Sequence, residues 1–211
     1  MFKPLTPITA VAGLLSLGSC AASYTPIRPE RINTYSVPMQ REPVEVGSQI
    51  DALKARGAKK RYAKKEAKDR YHVTALRITN NTELVLTYGR DVILMSGSTQ
   101  VTPVAPAIAA SDMKQGVFIY LLYLLLNPTV GSRADFNPNT RQTTTTGGTV
   151  IPLGPFIAAG NILGASLANK NFRRNLEDND PANRTINPGA TIYGIVTLRD
   201  VEASSLHLVL R

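Results

Sequence analysis

The run Val73-Thr74-Ala75-Leu76-Arg77-Ile78-Thr79 sets the fold expected for this chain of 211 residues. It is rich in β-branched residues, which favour strands. Asn80-Asn81-Thr82 follows as a turn signal. The next run, residues 83–88, alternates with apolar side chains at its even positions. This short spacing predicts antiparallel strands with one buried face.

The β pattern stops for about 80 residues and then resumes near the C-terminus. Further strand-like runs lie at residues 92–95, 100–104, 191–198 and 205–210. Two strands alone are marginal, so the late runs should pair with the early ones. The predicted fold is α+β: an antiparallel β-sandwich over residues 72–211, interrupted at about 107–178 by an apolar helical hairpin and preceded by a basic helix at 48–71. It resembles the small immunoglobulin-like sandwiches of exported bacterial proteins, a likeness of architecture that carries no function.

The first helix of the predicted hairpin is apolar all round. Ser111 or Asp112 can cap it, and Pro128 follows its end at Leu126. The stretch 116–126 has no polar face, so it must be buried in protein or in lipid. Its length of about 11 residues is too short to span a bilayer.

The second helix, expected at about 155–176, carries a stripe of small residues. Gly160, Gly164 and Ala168 recur every four positions. Such a stripe lets another helix approach closely, and the Leu-rich helix is the expected partner. Two arrangements fit this pattern: a hairpin folded over the β-sheet, or a hairpin (about 115–168) that enters the membrane or grips a membrane protein.

The predicted basic helix, with Ser48 as its N-cap, concentrates the charge of the chain. Formal net charge is +9, and the segment 54–70 alone supplies +7. Either this is a solvated helix face, or it meets anionic lipid phosphates. The candidate contacts are Lys59, Lys60, Arg61, Lys64, Lys65 and Lys68. Exported basic proteins rarely meet nucleic acid, so none is expected as a partner.

Residues that could carry chemistry are sparse. The two histidines, His72 and His207, occupy strand positions without metal-ligand spacing around them. The sequence contains no zinc-protease, nucleophile-elbow or phosphate-loop motif. The acids that could act in pairs, Asp91 with Asp200 or the group after residue 176, fall in turns and loops. No catalytic residue, metal site or cofactor is predicted.

The N-terminus has the features of an export signal. One basic residue precedes an uncharged apolar core at 8–17. That core of about 10 residues covers half of a bilayer, too little for a transmembrane anchor. Leu17-Gly18-Ser19-Cys20 closes it and contains the only cysteine of the chain. These four residues resemble the lipobox of bacterial lipoproteins.

The resemblance implies that residues 1–19 are a signal peptide and that Cys20 becomes the lipidated first residue of the mature chain. Two or more acyl chains hold a protein firmly on a membrane. The aspartate that retains such proteins at the inner membrane is absent after Cys20, which implies the periplasmic face of the outer membrane. Residues 20–47 would then form a tether, or else an extended strip docked on the domain through apolar residues such as Ile27 and Tyr35.

These observations favour a non-enzymatic envelope lipoprotein that acts as a structural or accessory module, with an envelope protein as its partner. One alternative is a membrane-active or transport-linked module whose hairpin enters lipid. A second is a cell-envelope hydrolase without a recognisable motif. The sequence predicts neither the identity of the partner nor an oligomeric state.

Overall fold

In a computed structural model, residues 21–36, 42–55, 60–201 and 206–211 are described. They belong to two compact units. Of the described residues, the smaller unit contains Ala21, Ala22 and residues 116–166, and the larger unit contains those in 23–115 and 167–211. Cys20 and the predicted signal peptide lie outside the described residues.

The described residues form twelve strands and four α-helices. The strands are β1 (Val44–Gln49), β2 (Tyr71–Asn80), β3 (Leu86–Thr87), β4 (Val92–Ser96), β5 (Thr99–Gln100), β6 (Thr129–Val130), β7 (Arg133–Asn137), β8 (Gln142–Thr146), β9 (Thr149–Val150), β10 (Thr185–Ile186), β11 (Thr191–Arg199) and β12 (Leu206–Leu210). The helices are α1 (Ala52–Ala55), α2 (Lys60–Lys68), α3 (Pro106–Met113) and α4 (Gly154–Asp178). The predicted α+β class with antiparallel sheets is confirmed, and the sheets are not closed.

The larger unit is built around β2, which pairs antiparallel with β1 on one side and with β11 on the other. A second antiparallel sheet has the order β12-β4-β5, and β3 pairs with β10. The late strands therefore pair with the early ones, as expected.

The strand β2 is buried on both faces, not on one as predicted. Successive side chains of a strand point to opposite faces, so its odd and even residues enter different cores. The odd-numbered Val73 and Ala75 belong to a cluster with residues of α1 to α4, including Leu53, Tyr62, Ala109, Met113, Phe172 and Leu176. The even-numbered Leu76 and Ile78 belong to a cluster with residues of the second sheet, including Val92, Leu94, Leu206 and Leu208.

The region before β2 differs from the predicted tether and basic helix. Ser48 lies inside β1, where it pairs with Leu76, and so is not an N-cap. The two short helices α1 and α2 take the place of the single helix at 48–71. Tyr24 and Ile27 are buried in the cluster on the helical side of β2. These residues therefore dock on the domain, the arrangement that the apolar side chains of this segment left open.

The interruption also differs from a simple helical hairpin. Its first helix is divided into α3 and a 3-10 helix, Phe118–Leu125. Ser111 and Asp112 lie within α3, which begins instead at Pro106, whose fixed φ suits the first helical position. The loop expected between the helices is a β-ribbon made of β6 to β9. The second predicted helix is confirmed as α4.

Candidate membrane-contact surface

Residues 117–126, called the apolar segment below, expose most of their side chains in the smaller unit. Phe118 and Leu125 are each 81% exposed, whereas Tyr120 is 2% exposed. The other exposed members are Ile119, Leu121, Leu122, Leu124 and Leu126. Contiguous apolar exposure of this kind marks a surface that contacts a membrane or another protein.

The 3-10 geometry determines which side chains of the segment share a row. With three residues per turn, side chains at i and i+3 eclipse and form three rows. One row contains Tyr120, which is buried, and Tyr123, which is half-buried, with their rings stacked at a centroid distance of 6.4 Å. The other two rows carry Phe118, Leu121 and Leu124, or Ile119, Leu122 and Leu125, and they face outward. In this segment one row is buried or half-buried, and the other two rows are exposed.

A glycine lets the start of α4 approach the end of this segment closely. A Cβ added at Gly154 would clash with the carbonyl oxygen of Tyr123 and would lie 2.9 Å from that of Leu124. The same end is closed by the Leu126 N–H, which donates to the Tyr123 carbonyl at 2.9 Å. The Asn127 side-chain amide donates to the Leu124 carbonyl at 3.0 Å. These contacts hold the C-terminal end of the segment, although its leucines are exposed.

Ala21, the first residue that the structure describes, contacts α4 in the same unit. The Ala21 N–H donates to Asn161 Oδ1 at 2.8 Å, and Asn161 is 3% exposed. The Cβ of Ala21 also lies 3.4 Å from the Cβ position of Gly164. Ala21, the residue that directly follows Cys20, therefore belongs to the unit that carries the apolar segment.

The apolar segment is too short to cross a membrane. By length and composition, the stretch Pro106–Leu125 is the one candidate span among the described residues, with a mean hydropathy of 1.2. It is not one continuous helix, however, because α3 ends at Met113 and the 3-10 helix begins at Phe118. Eight 3-10 residues rise about 16 Å, roughly half of a hydrocarbon core. This length fits one leaflet of a bilayer.

The small-residue stripe does not pack against the apolar segment as predicted. None of the described residues lies within 4 Å of a Cβ built on Gly160. Gly164 faces Ala21, and Ala168 lies in the larger unit, in the cluster on the helical side of β2. Among the glycines of the described residues, Gly154, outside the stripe, is the one whose added Cβ would lie within 4 Å of the apolar segment.

The basic residues predicted to meet an anionic surface differ in their exposure. They are Lys59, Lys60, Arg61, Lys64, Lys65 and Lys68. Lys59 and the side chain of Lys60 lie outside the described residues. Arg61 is half-buried, and the ammonium of Lys65 donates to the carbonyl oxygen of Asp112 at 3.2 Å. Lys64 and Lys68 are exposed on α2. Of the four predicted residues whose side chains are described, two lysines are therefore exposed.

A polar cluster around His72 is the site that the sequence reasoning missed. His72 Nδ1 and Asp51 Oδ1 are 2.8 Å apart, and Lys54 Nζ donates to Asp51 Oδ2 at 2.7 Å. Burial alone would raise the pKa of Asp51, but hydrogen bonds from Lys54 and His72 outweigh it and lower that pKa. The pair lines an open pocket that also contains Glu66.

Glu66 is an acid on the buried face of a lysine-rich helix. Its Oε1 accepts a hydrogen bond from the Val73 N–H at 2.7 Å, while its buried Oε2 has no partner among the described residues. Burial raises the pKa of Glu66 to about 7, and the bond from Val73 only partly opposes this. Glu66 follows Tyr62 by four residues, so this spacing already placed it on the apolar line of the helix.

The described residues hold no group of three or more His, Cys, Asp or Glu side chains that could bind a metal ion. Comparisons with protein-family models, curated proteins and solved structures found no match for this chain.

Proposed function

We propose that this protein is a non-enzymatic lipoprotein of the bacterial cell envelope, held at the periplasmic face of the outer membrane by a lipid on Cys20. In this proposal it acts as a structural or accessory module. The apolar segment adds a second attachment by lying among the acyl chains of one leaflet. The larger unit is the part that remains available to an envelope protein partner.

The carrying observation is that the exposed apolar segment and Ala21 belong to the same compact unit. An anchor at Cys20 would bring that unit to the membrane, where exposed leucines gain by leaving water. Each fully buried leucine contributes about 1.5–3 kcal/mol. The outward-facing rows therefore supply a large driving force once the anchor has removed most of the entropic cost of association.

The immunoglobulin-like sandwich remains part of the proposal as an architectural likeness. It is supported by the apolar cluster that residues of the β1-β2-β11 sheet and of the β12-β4-β5 sheet share. It assigns no activity.

The non-enzymatic role is supported by how the candidate acids are engaged. Asp91, Asp200 and Glu177 form ion pairs with Arg90, Arg70 and Arg173, respectively. Asp51, in the pocket beside Glu66, is already shared by Lys54 and His72. These contacts are typical of acids that hold local structure.

The test uses the mature chain, residues 20–211, carrying Cys20→Ser so that it has no lipid. This protein should co-sediment with phosphatidylethanolamine and phosphatidylglycerol vesicles. Replacing Leu122 and Leu125, which share one outward row, by glutamate should lower the association constant roughly tenfold or more, because leucine burial contributes more than the 1.4 kcal/mol that corresponds to tenfold.

The matched control is Leu84→Glu. Leu84 is 67% exposed and Leu122 is 61% exposed, but Leu84 lies in the larger unit. Vesicle binding should not change in this variant. A parent protein that stays in the supernatant, or an equal loss in both variants, would contradict membrane contact by the apolar segment.

A further inference from the structure

The β-ribbon between the apolar segment and α4, residues 129–150, is exposed along its whole length. The pairing of Thr129 with Val150 and of Arg133 with Thr146 keeps one register, so β6 and β7 continue one edge and β8 and β9 the other. Every residue of these four strands is exposed. Among the described strands, none outside the ribbon pairs with it.

We expect such a ribbon to pair with another strand. An isolated two-stranded ribbon is marginally stable in water. Its unpaired N–H and C=O groups form a template for another strand, and proteins commonly guard such edges with charged side chains, lysine above all, or with proline. Neither lysine nor proline occurs within β7 or β8, and the two charged residues of β7 have opposite signs. The run of threonines in β8 and Phe136 in β7 instead favour extended structure.

The charges of β7 indicate which strand would pair with it. Arg133 and Asp135 lie two residues apart and therefore point to the same face of the ribbon. Neither forms an ion pair with another described residue. In an antiparallel pairing, a strand with a basic group followed by an acidic group is complementary to a second copy of itself.

We infer that two copies of this chain pair antiparallel along β7, with a two-fold axis at Ala134. In that register Arg133 of each copy lies opposite Asp135 of the other, and the product is a four-stranded sheet with two cross-strand ion pairs. A two-fold interface requires a self-complementary patch, which this charge order provides. The two charges also make the face that carries them unsuited to lipid, in contrast to the apolar segment.

Disulfide trapping in the membrane-bound protein tests the register. Ala134→Cys places one thiol of each copy directly across the axis, within the short Cβ separation of opposed antiparallel residues. Mild oxidation should give a covalent dimer. Thr144→Cys is the matched control, because Thr144 is equally exposed but lies on β8, away from the axis. A repeat in the Cys20→Ser form excludes any contribution from Cys20 and keeps the result independent of lipidation.

Charge reversal then tests the complementarity in the Ala134→Cys background. Arg133→Asp alone and Asp135→Arg alone should each lower the dimer yield several-fold, because they place like charges opposite each other. Mixing the two single variants should restore a dimer that contains one of each. A dimer yield at Ala134→Cys no higher than at Thr144→Cys would overturn the inference. So would single variants that dimerise as well as the parent.

Discussion

The two halves of α4 show how one helix can serve two environments. Phe172 and Leu176, in the half that belongs to the larger unit, are 0% and 1% exposed. Phe156 and Leu163, in the half that belongs to the smaller unit, are 69% and 64% exposed. Residue type and helical structure are the same in both halves. In the larger unit, β2, α2 and the N-terminal strip that contains Tyr24 and Ile27 cover the helix around Phe172.

Each half of α4 contains an asparagine that forms hydrogen bonds with the N-terminal segment of the chain. Asn175 accepts hydrogen bonds from the Tyr24 hydroxyl and the Ile27 N–H, both at 2.7 Å, and donates to the Ile27 carbonyl at 3.0 Å. Asn161 accepts the Ala21 N–H. In each half, therefore, an asparagine amide holds the backbone of the N-terminal segment on the helix, while the apolar faces of the two halves differ in burial.

The sharpest way to break this comparison is to truncate the same residue type in both halves. Phe172→Ala should lower the free energy of unfolding by about 3–5 kcal/mol, because it leaves a cavity beside Tyr24 and Tyr62. Phe156→Ala should change it by less than about 0.5 kcal/mol. Denaturant unfolding of the Cys20→Ser mature chain measures both. Equal losses would mean that the smaller unit has a core of its own at Phe156.

A smaller effect is expected from the asparagine that holds the N-terminal strip. Asn175→Ala removes three hydrogen bonds and leaves the N–H and C=O of Ile27 without their partner, which costs about 2–3 kcal/mol. Asn171→Ala is the control, because Asn171 is exposed on the same helix. The free energies of unfolding, compared by denaturant titration, should separate the two variants. If they are equally stable, the strip contributes nothing through Asn175.

The smallest of the three effects depends on pH. The folded-state pKa of Glu66 is about 7, above its ordinary value of 4.5, so the folded chain binds this proton more tightly than the unfolded chain. The contribution of Glu66 to stability is therefore full below about pH 4.5 and is lost as the pH rises through 7. Glu66→Gln should remove this dependence and raise the free energy of unfolding more at pH 8 than at pH 5.

Unfolding curves at pH 5 and pH 8 measure that difference. The control is Glu83→Gln, because Glu83 is exposed in a turn. A substitution at Gln115 is unsuitable, because Gln115 donates a hydrogen bond to Tyr62. A parent whose Glu66-dependent stability is the same at both pH values would contradict the raised pKa.

Much of the fold was accessible from the sequence because its strands carry local signals. The β-branched run in β2, the strand at β11 and the helix α4 appear close to where their patterns placed them. Ser48 misled because a serine before a lysine-rich segment has the features of an N-cap, whereas its actual place in β1 depends on pairing with β2. Periodicity does not report such non-local pairing.

The site was harder to predict, for the same reason. The apolar segment was recognised as apolar all round, but exposure is a property of the neighbouring elements and not of the segment. The 3-10 geometry, which turns two rows outward, is not encoded in hydropathy. The contact between Asp51 and His72 links a turn residue to a strand residue 21 positions later and leaves no spacing signal. Glu66 could have been found, because it repeats the position of buried Tyr62 one turn later.

The measurement that tests the proposed membrane attachment most directly is mass spectrometry of the N-terminus of the protein isolated from its native membrane. The proposed attachment depends on a lipid at Cys20, because the next residue, Ala21, is hydrogen-bonded to α4 in the smaller unit. We predict a mature chain that begins at Cys20 and carries acyl groups on its sulfur, and a Cys20→Ala form that lacks both the cleavage and the lipid. An unmodified cysteine, or a chain cut elsewhere, would contradict the lipoprotein proposal.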